Sequence, residues 1–315
     1  MTAVRDGRDP AALDEAARLL QGGQVVAFPT ETVYGLGAAA LDGDAVARIF
    51  AAKERPADNP VIVHVADVAA ARDVVGEFPR LAEEASRLWP GALTLVLRRG
   101  SRVPDIVTAG GPTVGVRVPA HPVALALLRR FGGPIAAPSA NRSGRPSPTL
   151  ARHVLADLAG RIELILDGGA TEVGLESTVV DMTREVPLLL RRGGVTIERL
   201  REVLGRVDCL EGQDPEAVAR SPGLRHRHYA PRARVVVVGE GEGEADGRTG
   251  LITRRAVSGE FVRVLPATAE GFAHGLFAAL RELDELGLER IVVEGIAEVG
   301  LGAAIMDRLR RAAEG

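Results

Sequence analysis

Short apolar runs separated by amphipathic stretches of helical period fill most of this chain, and that alternation constrains the fold more than any other feature. Residues 24–28, 61–65, 92–98, 114–118 and 134–137 read as strands, and 10–21, 43–54, 67–76, 80–88, 121–131 and 150–159 as helices. The first helix carries its own punctuation: Asp9 as N-cap, Pro10 in the first turn and Gly22-Gly23 as the stop. After residue 160 the pattern changes, because 162–167, 177–182 and 186–191 follow one another as strands without a helix between them. Strands joined through helices and strands in direct succession together imply a twisted mixed sheet with helices packed on it.

The period is lost between about 205 and 233 and returns beyond it. Strand-like runs at 234–238, 250–253, 262–265 and 291–294 alternate with helical patterns at 269–286 and 302–313, and 239–247 reads as a surface loop. The sequence therefore predicts a first α/β domain over 1–206, a linker over 207–233 and a small Rossmann-like α/β domain over 234–315. A length of 315 residues agrees with two domains.

Several function classes are disfavoured at once. A formal charge of −3 and few aromatic residues argue against bulk binding to nucleic acid. The lone Cys209 excludes an intrachain disulfide and a CxxC-type zinc site. No apolar stretch approaches the ~20 residues of a membrane helix, and the N-terminus has no signal-like core, so the expectation is a cytoplasmic protein. There is no phosphate-binding P-loop, no G-x-S-x-G elbow and no H-E-x-x-H pair. Gly35-Leu-Gly37-Ala-Ala-Ala40 matches a loose dinucleotide pattern, but Pro29 to Tyr34 separate it from the preceding strand, where such a loop should follow at once.

The rare residues point to a site. Of 39 basic residues a single one is lysine, Lys53, and the chain has two Asn (Asn59, Asn141) and two Tyr (Tyr34, Tyr229). Lys53, both Asn and Tyr34 fall in three polar loops beside strand ends: Pro29-Thr-Glu-Thr-Val-Tyr-Gly-Leu-Gly37, Lys53-Glu-Arg55-Pro-Ala-Asp-Asn59-Pro, and Ala137-Pro-Ser139-Ala-Asn141. Tyr229 lies in the linker. A compact ammonium retained in a chain that otherwise uses Arg suggests a task a planar fork cannot perform.

These motifs, followed in order by His64, Glu176-Ser-Thr-Val-Val180, Leu190-Arg-Arg-Gly193 and Ser221-Pro-Gly with His228-Tyr-Ala-Pro231, give the chain a close resemblance to the threonylcarbamoyl-AMP synthases of the long, two-domain type. That resemblance implies a YrdC-like catalytic domain that joins L-threonine, bicarbonate and ATP into threonylcarbamoyl-AMP and pyrophosphate. The product would pass to a tRNA threonylcarbamoyltransferase complex for modification beside the anticodon. By the same resemblance Lys53, Arg55, Ser139 and Asn141 are catalytic, and Thr32, His64, Arg117, Ala137 and Ser177 bind L-threonine. ATP falls to Arg55, Asn59, Thr113, Ser139, Ser147, Arg191 and a linker residue taken as Tyr229. Mg2+ is expected to arrive with ATP, held by the nucleotide rather than by protein side chains; His226-x-His228 without a third ligand is a weak metal signal. The alternatives are an RNA-binding module, for which contact with tRNA or double-stranded RNA would be the function rather than an accessory, and a carbamoyl transferase using carbamoyl phosphate.

Overall fold

The computed structural model describes residues 1–210 and 230–314. The first sheet contains β1 (Ala3–Asp6), β2 (Val26–Phe28), β3 (Gly35–Ala39), β4 (Ile62–His64), β5 (Leu93–Arg98), β6 (Thr113–Arg117), β7 (Ile135–Ala136), β8 (Leu164–Asp167), β9 (Thr178–Asp181), β10 (Leu188–Arg191) and β11 (Asp208–Cys209). Their order across the sheet is β1-β8-β2-β3-β7-β4-β6-β5-β9-β10-β11. Parallel and antiparallel neighbours are mixed, as the sequence predicts.

Alternation along the strands builds the layers. Val26 and Phe28 pack with Leu13, Leu20, Leu127 and Leu128 of the helices Pro10–Gln21 and Pro122–Phe131. Val25 and Ala27 point the other way, onto Ile49 and Val154 of the helices Gly43–Lys53 and Ala151–Leu158. The middle of the sheet follows the same rule. Val61, Val63, Val65, Val114, Val116 and Val118 join Leu93, Leu95 and Leu97 in one core. Each such side chain contributes about 1.5–3 kcal/mol on burial. Ile62, His64 and Arg117 are thereby directed to the opposite face, and the parallel register of β4 with β6 sets His64 beside Arg117.

Three strands depart from the expectation. Residues 35–39, read as loop and loose dinucleotide pattern, form β3, antiparallel to both β2 and β7. Gly37 is there for packing: a Cβ would meet Ile135 and Phe28 carbons at 2.7 Å. The polar edge strand β1 also went unpredicted. Residues 208–209, expected in the linker, pair with β10 and extend the first sheet past the boundary placed at 206.

The second sheet, β12 (Arg234–Val238), β13 (Thr249–Thr253), β14 (Val262–Val264) and β15 (Arg290–Glu294), is all parallel in the order β12-β15-β13-β14. Helices Ala269–Glu285 and Leu301–Ala313 cover it, and their apolar core also takes in Val33 and Leu175 of the first domain. The second domain is thus packed directly behind the loop that leaves β2.

Candidate active site

That loop is shaped by its own hydroxyls. Thr30 Oγ1 donates to the Val33 carbonyl at 2.7 Å and lies 2.7 Å from Thr32 Oγ1. Arg117 then holds the loop against the sheet: Nη1 donates to Thr32 Oγ1 at 2.9 Å, Nε to the Gly91 carbonyl at 3.1 Å, and Nη2 lies 2.7 Å from Glu31 Oε1. The other Glu31 oxygen accepts the Ala120 amide at 3.0 Å. All these side chains are buried.

A second loop, 139–145, is held from below. Lys53, last residue of its helix, donates from Nζ to the Ser139 and Asn141 carbonyls and sits 3.5 Å from Asn141 Oδ1. Ser139 Oγ donates to Asn141 Oδ1 at 2.5 Å, and Asn141 Nδ2 to the Arg142 and Arg145 carbonyls at 2.8 Å. Arg55 is aimed by its own turn, donating from Nη2 to the Pro60 carbonyl at 3.0 Å and from Nε to the Asn59 carbonyl at 3.3 Å. Arg191, ending β10, donates from Nη2 to the Ser177 carbonyl at 3.0 Å, and Ser177 Oγ lies 2.8 Å from Thr94 Oγ1.

These groups surround a single pocket. Of the sequence-predicted residues, Thr32, Arg55, His64, Arg117, Ala137, Ser139, Asn141, Ser147, Ser177 and Arg191 line it. Lys53 lies behind the wall with its ammonium turned to loop carbonyls, so its contribution is to hold the Ser139–Asn141 turn. Asn59 is fully buried, with its carbonyl on Arg55. Thr113 sits at the other end of β6 from Arg117. Tyr229, His226 and His228 lie outside the described residues.

Sequence reasoning missed Glu31, Arg145 and Glu176. Glu31 and Glu176 stood in quoted motifs, as acids inside otherwise apolar or hydroxyl-rich runs; Arg145 carried no signal among so many arginines. Glu176 lines the pocket and accepts Ser147 Oγ at 2.5 Å.

The wall is cationic, with Arg55, Arg117, Arg145 and Arg191 against the one carboxylate of Glu176. Burial pushes the Glu31 carboxyl up, but the Arg117 charge together with hydrogen bonds from Arg117 and from the main chain, the Ala120 amide included, outweighs it and holds the group below its usual value. Burial, with Arg117 adding to it, lowers His64 to about 3, so the imidazole is neutral. Its Nδ1 is buried without a partner, leaving a polar atom for a ligand to satisfy. Burial and the Arg55 charge bring Lys53 well below the ordinary lysine value.

Comparison with known proteins accounts for this arrangement. Residues 18–193 match the family model described as "Telomere recombination" (Sua5, YciO and YrdC), and 195–314 match "Threonylcarbamoyl-AMP synthase, C-terminal domain". The chain belongs to the threonylcarbamoyl-AMP synthase family. The threonylcarbamoyl-AMP synthase of Pyrococcus abyssi is 46% identical across 98% of this chain and 96% of its own length. That of Bacillus subtilis is also 46% identical, across 96% of this chain and 92% of its own. The crystal structure of P. abyssi Sua5 complexed with L-threonine superposes with a TM-score of 0.93 at 44% identity, covering 99% of this chain and 98% of that one. The large twisted mixed sheet with packed helices that the sequence predicts is the fold shared with this relative.

Proposed function

We propose that this chain is a threonylcarbamoyl-AMP synthase, converting L-threonine, bicarbonate and ATP to threonylcarbamoyl-AMP and pyrophosphate. The observation that carries this reading is one pocket whose wall joins a small polar recess, formed by Thr32, His64, Arg117, Ala137 and Ser177, to the guanidiniums of Arg55, Arg145 and Arg191. The recess suits an amino acid with a hydroxyl, and the guanidiniums suit a polyphosphate. The relative solved with L-threonine supports the assignment of the recess.

The threonine amine takes up bicarbonate with loss of water, and a carbamate oxygen then attacks the α-phosphorus of ATP as pyrophosphate leaves. The carbamate is already anionic, so the step needs no strong base. It needs two anions brought together, which makes positioning and charge neutralisation the main work of the protein. Arg117 meets threonine as half of a neutral pair with Glu31 and frames Thr32. Arg55 and Arg191, with Ser139, Asn141 and Ser147, face the phosphates, and Lys53 fixes the turn that carries Ser139 and Asn141. Asn59, Thr113 and Tyr229 complete the proposed ATP set.

Mg2+ is proposed to enter on the phosphates. Glu176 is committed to Ser147 and Arg308, and the described residues hold no group of three or more His, Cys, Asp or Glu able to cage an ion. Transfer of the product to a tRNA threonylcarbamoyltransferase complex in the cytoplasm follows from the same reading. No helix among the described residues is long and apolar enough to cross a membrane. The test is pyrophosphate release measured with threonine or bicarbonate omitted in turn, with mass detection of the adenylate. Release that ignores either substrate overturns the proposal, and salt-sensitive RNA retention without turnover supports an RNA-binding module instead.

A further inference from the structure

Two arginines of the second domain reach the wall of the pocket in the first. Arg308, on the helix Leu301–Ala313, is 1% exposed. Its Nε donates to Glu176 Oε2 at 2.7 Å and its Nη2 to the Arg192 carbonyl at 2.7 Å. The opposite oxygen of Glu176 accepts Ser147 Oγ, so a continuous chain of bonds runs from Arg308 to Ser147. The two segments that Arg308 ties together, Glu176–Ser177 and Arg191–Arg192, are those that carry Ser177 and Arg191. Arg281, on the helix Ala269–Glu285, makes the matching contact nearby. Its Nη2 lies 2.7 Å from Asp157 Oδ2, and its Nε donates at 3.1 Å to the carbonyl of Pro146, the residue before Ser147. Asp157 Oδ1 in turn accepts Arg145 Nη1 at 2.7 Å.

We infer that Arg308 and Arg281 are positioning residues through which the second domain sets Arg145, Ser147 and Arg191 for the nucleotide. The inference rests on the proposed reading that these wall residues face ATP. Its physical basis is the planar fork. Each guanidinium bridges a buried carboxylate and a main-chain carbonyl from segments distant in sequence, through nitrogens of one rigid plane that fix the orientation of both, which a freely rotating ammonium does not. Of the threonine recess, only Ser177 lies on a segment that Arg308 ties, and its hydroxyl is held by Thr94 within the first domain; Arg117, Glu31 and Thr30 support the rest of the recess there. Loss of either second-domain arginine should therefore separate the two substrates. Without Arg308, Glu176 Oε2 loses the donor that fixes the carboxyl plane, and rotation of that group takes Ser147 out of register.

The test is steady-state pyrophosphate release by full-length Arg308→Lys, Arg281→Lys and Arg308→Met proteins, together with equilibrium binding of ATP and of L-threonine. The lysine variants are expected to raise KM and Kd for ATP by roughly tenfold and to leave those for threonine within about threefold. Should Arg308→Met fail to fold, the lysine variants carry the test, with retained threonine affinity showing that the first domain is intact. An equal rise for both substrates, or no rise for ATP, overturns the inference. The wild-type protein keeps the two readings apart: lack of threonine- and bicarbonate-dependent turnover refutes the proposed reaction, whereas the variant-to-wild-type ratio of ATP affinity judges the arginines.

Discussion

Lys53→Arg keeps the charge and should still lower turnover at least tenfold, about 1.4 kcal/mol of transition-state stabilisation. The Lys53 ammonium is 1% exposed and donates to two carbonyls two residues apart, those of Ser139 and Asn141. A tetrahedral donor at the end of a flexible stem converges on both; a flat, larger guanidinium does not. To admit it, the 139–141 turn must move outward, and the Ser139 hydroxyl and Asn141 amide move with it. A displacement near 1 Å at a reacting site costs on the order of a hundredfold, so tenfold is the conservative figure. Overpacking of the closed site should add about 1–3 kcal/mol of destabilisation. Lys53→Met is the complementary change. It keeps the stem but strips two buried carbonyls of their donor, at about 1–3 kcal/mol each, a large share of an ordinary 5–15 kcal/mol stability. Saturating pyrophosphate-release assays and urea unfolding curves on both variants supply the numbers. Turnover within about twofold of wild type, together with an unchanged urea midpoint for Lys53→Arg, refutes the argument that this position demands a point donor.

Stability should fall as pH drops below 6.5, because buried His64 and His153 are lowered to about 3 and stay neutral while the unfolded chain takes up protons. Each contributes up to about 1.4 kcal/mol per pH unit in the window from 6.5 down to 3, and a flat urea midpoint between pH 6.5 and 5 contradicts this. Glu31→Gln leaves the buried Arg117 guanidinium without its carboxylate, for an expected loss of about 3–5 kcal/mol and a higher KM for threonine; an unaltered thermal midpoint rules out that role. Serine should be a poorer substrate than threonine by a methyl contact of about 1 kcal/mol, and valine far worse because its pocket partner stays unsatisfied. Equal rates for threonine and valine are incompatible with a hydroxyl-reading recess.

The sequence displays the core layers well because valine and leucine at alternate positions leave little choice of face. The alternation at 114–118 alone sends Arg117 away from the core. What it hides is where polar side chains end once facing is decided. Arg117 would pass for an exposed strand residue, yet it is 3% exposed because the loop after β2 folds over it and brings Glu31. Lys53 was marked by its rarity, but rarity cannot say whether an ammonium faces substrate or carbonyls. The strand β3 escaped because Gly-Leu-Gly-Ala-Ala has poor strand propensity; the demand for closeness to Phe28 and Ile135 is a tertiary one. Arg281 and Arg308 sit on amphipathic helices where any single-sequence reading assigns them to solvent. Their burial depends on a surface more than a hundred residues away in the chain.

Among the described ion pairs, three bury both side chains to nine-tenths or more: Arg117–Glu31, Arg281–Asp157 and Arg308–Glu176. All three touch the pocket wall directly or, for Asp157, through Arg145. Exposed pairs such as Arg199–Glu202 and Arg248–Glu289 add little, about 0–1 kcal/mol each. A buried pair is no better for stability, since desolvating two charges consumes most of their attraction and an apolar replacement is often neutral or favourable. Concentration of buried pairs at the site therefore calls for an explanation other than stability, and direction is the one that fits. An apolar contact fixes a distance loosely, whereas a guanidinium–carboxylate pair fixes the plane and rotation of both groups and of the chain segments that carry them. Here the segments are those bearing Thr32, Ser147, Ser177 and Arg191. Replacing a whole pair, as in Arg281→Met with Asp157→Leu, should consequently lose no more stability than about 1–3 kcal/mol, that of the Pro146 carbonyl left without its donor, and should weaken ATP binding. A double variant that keeps both stability and ATP affinity would show that the pairs orient nothing the reaction uses.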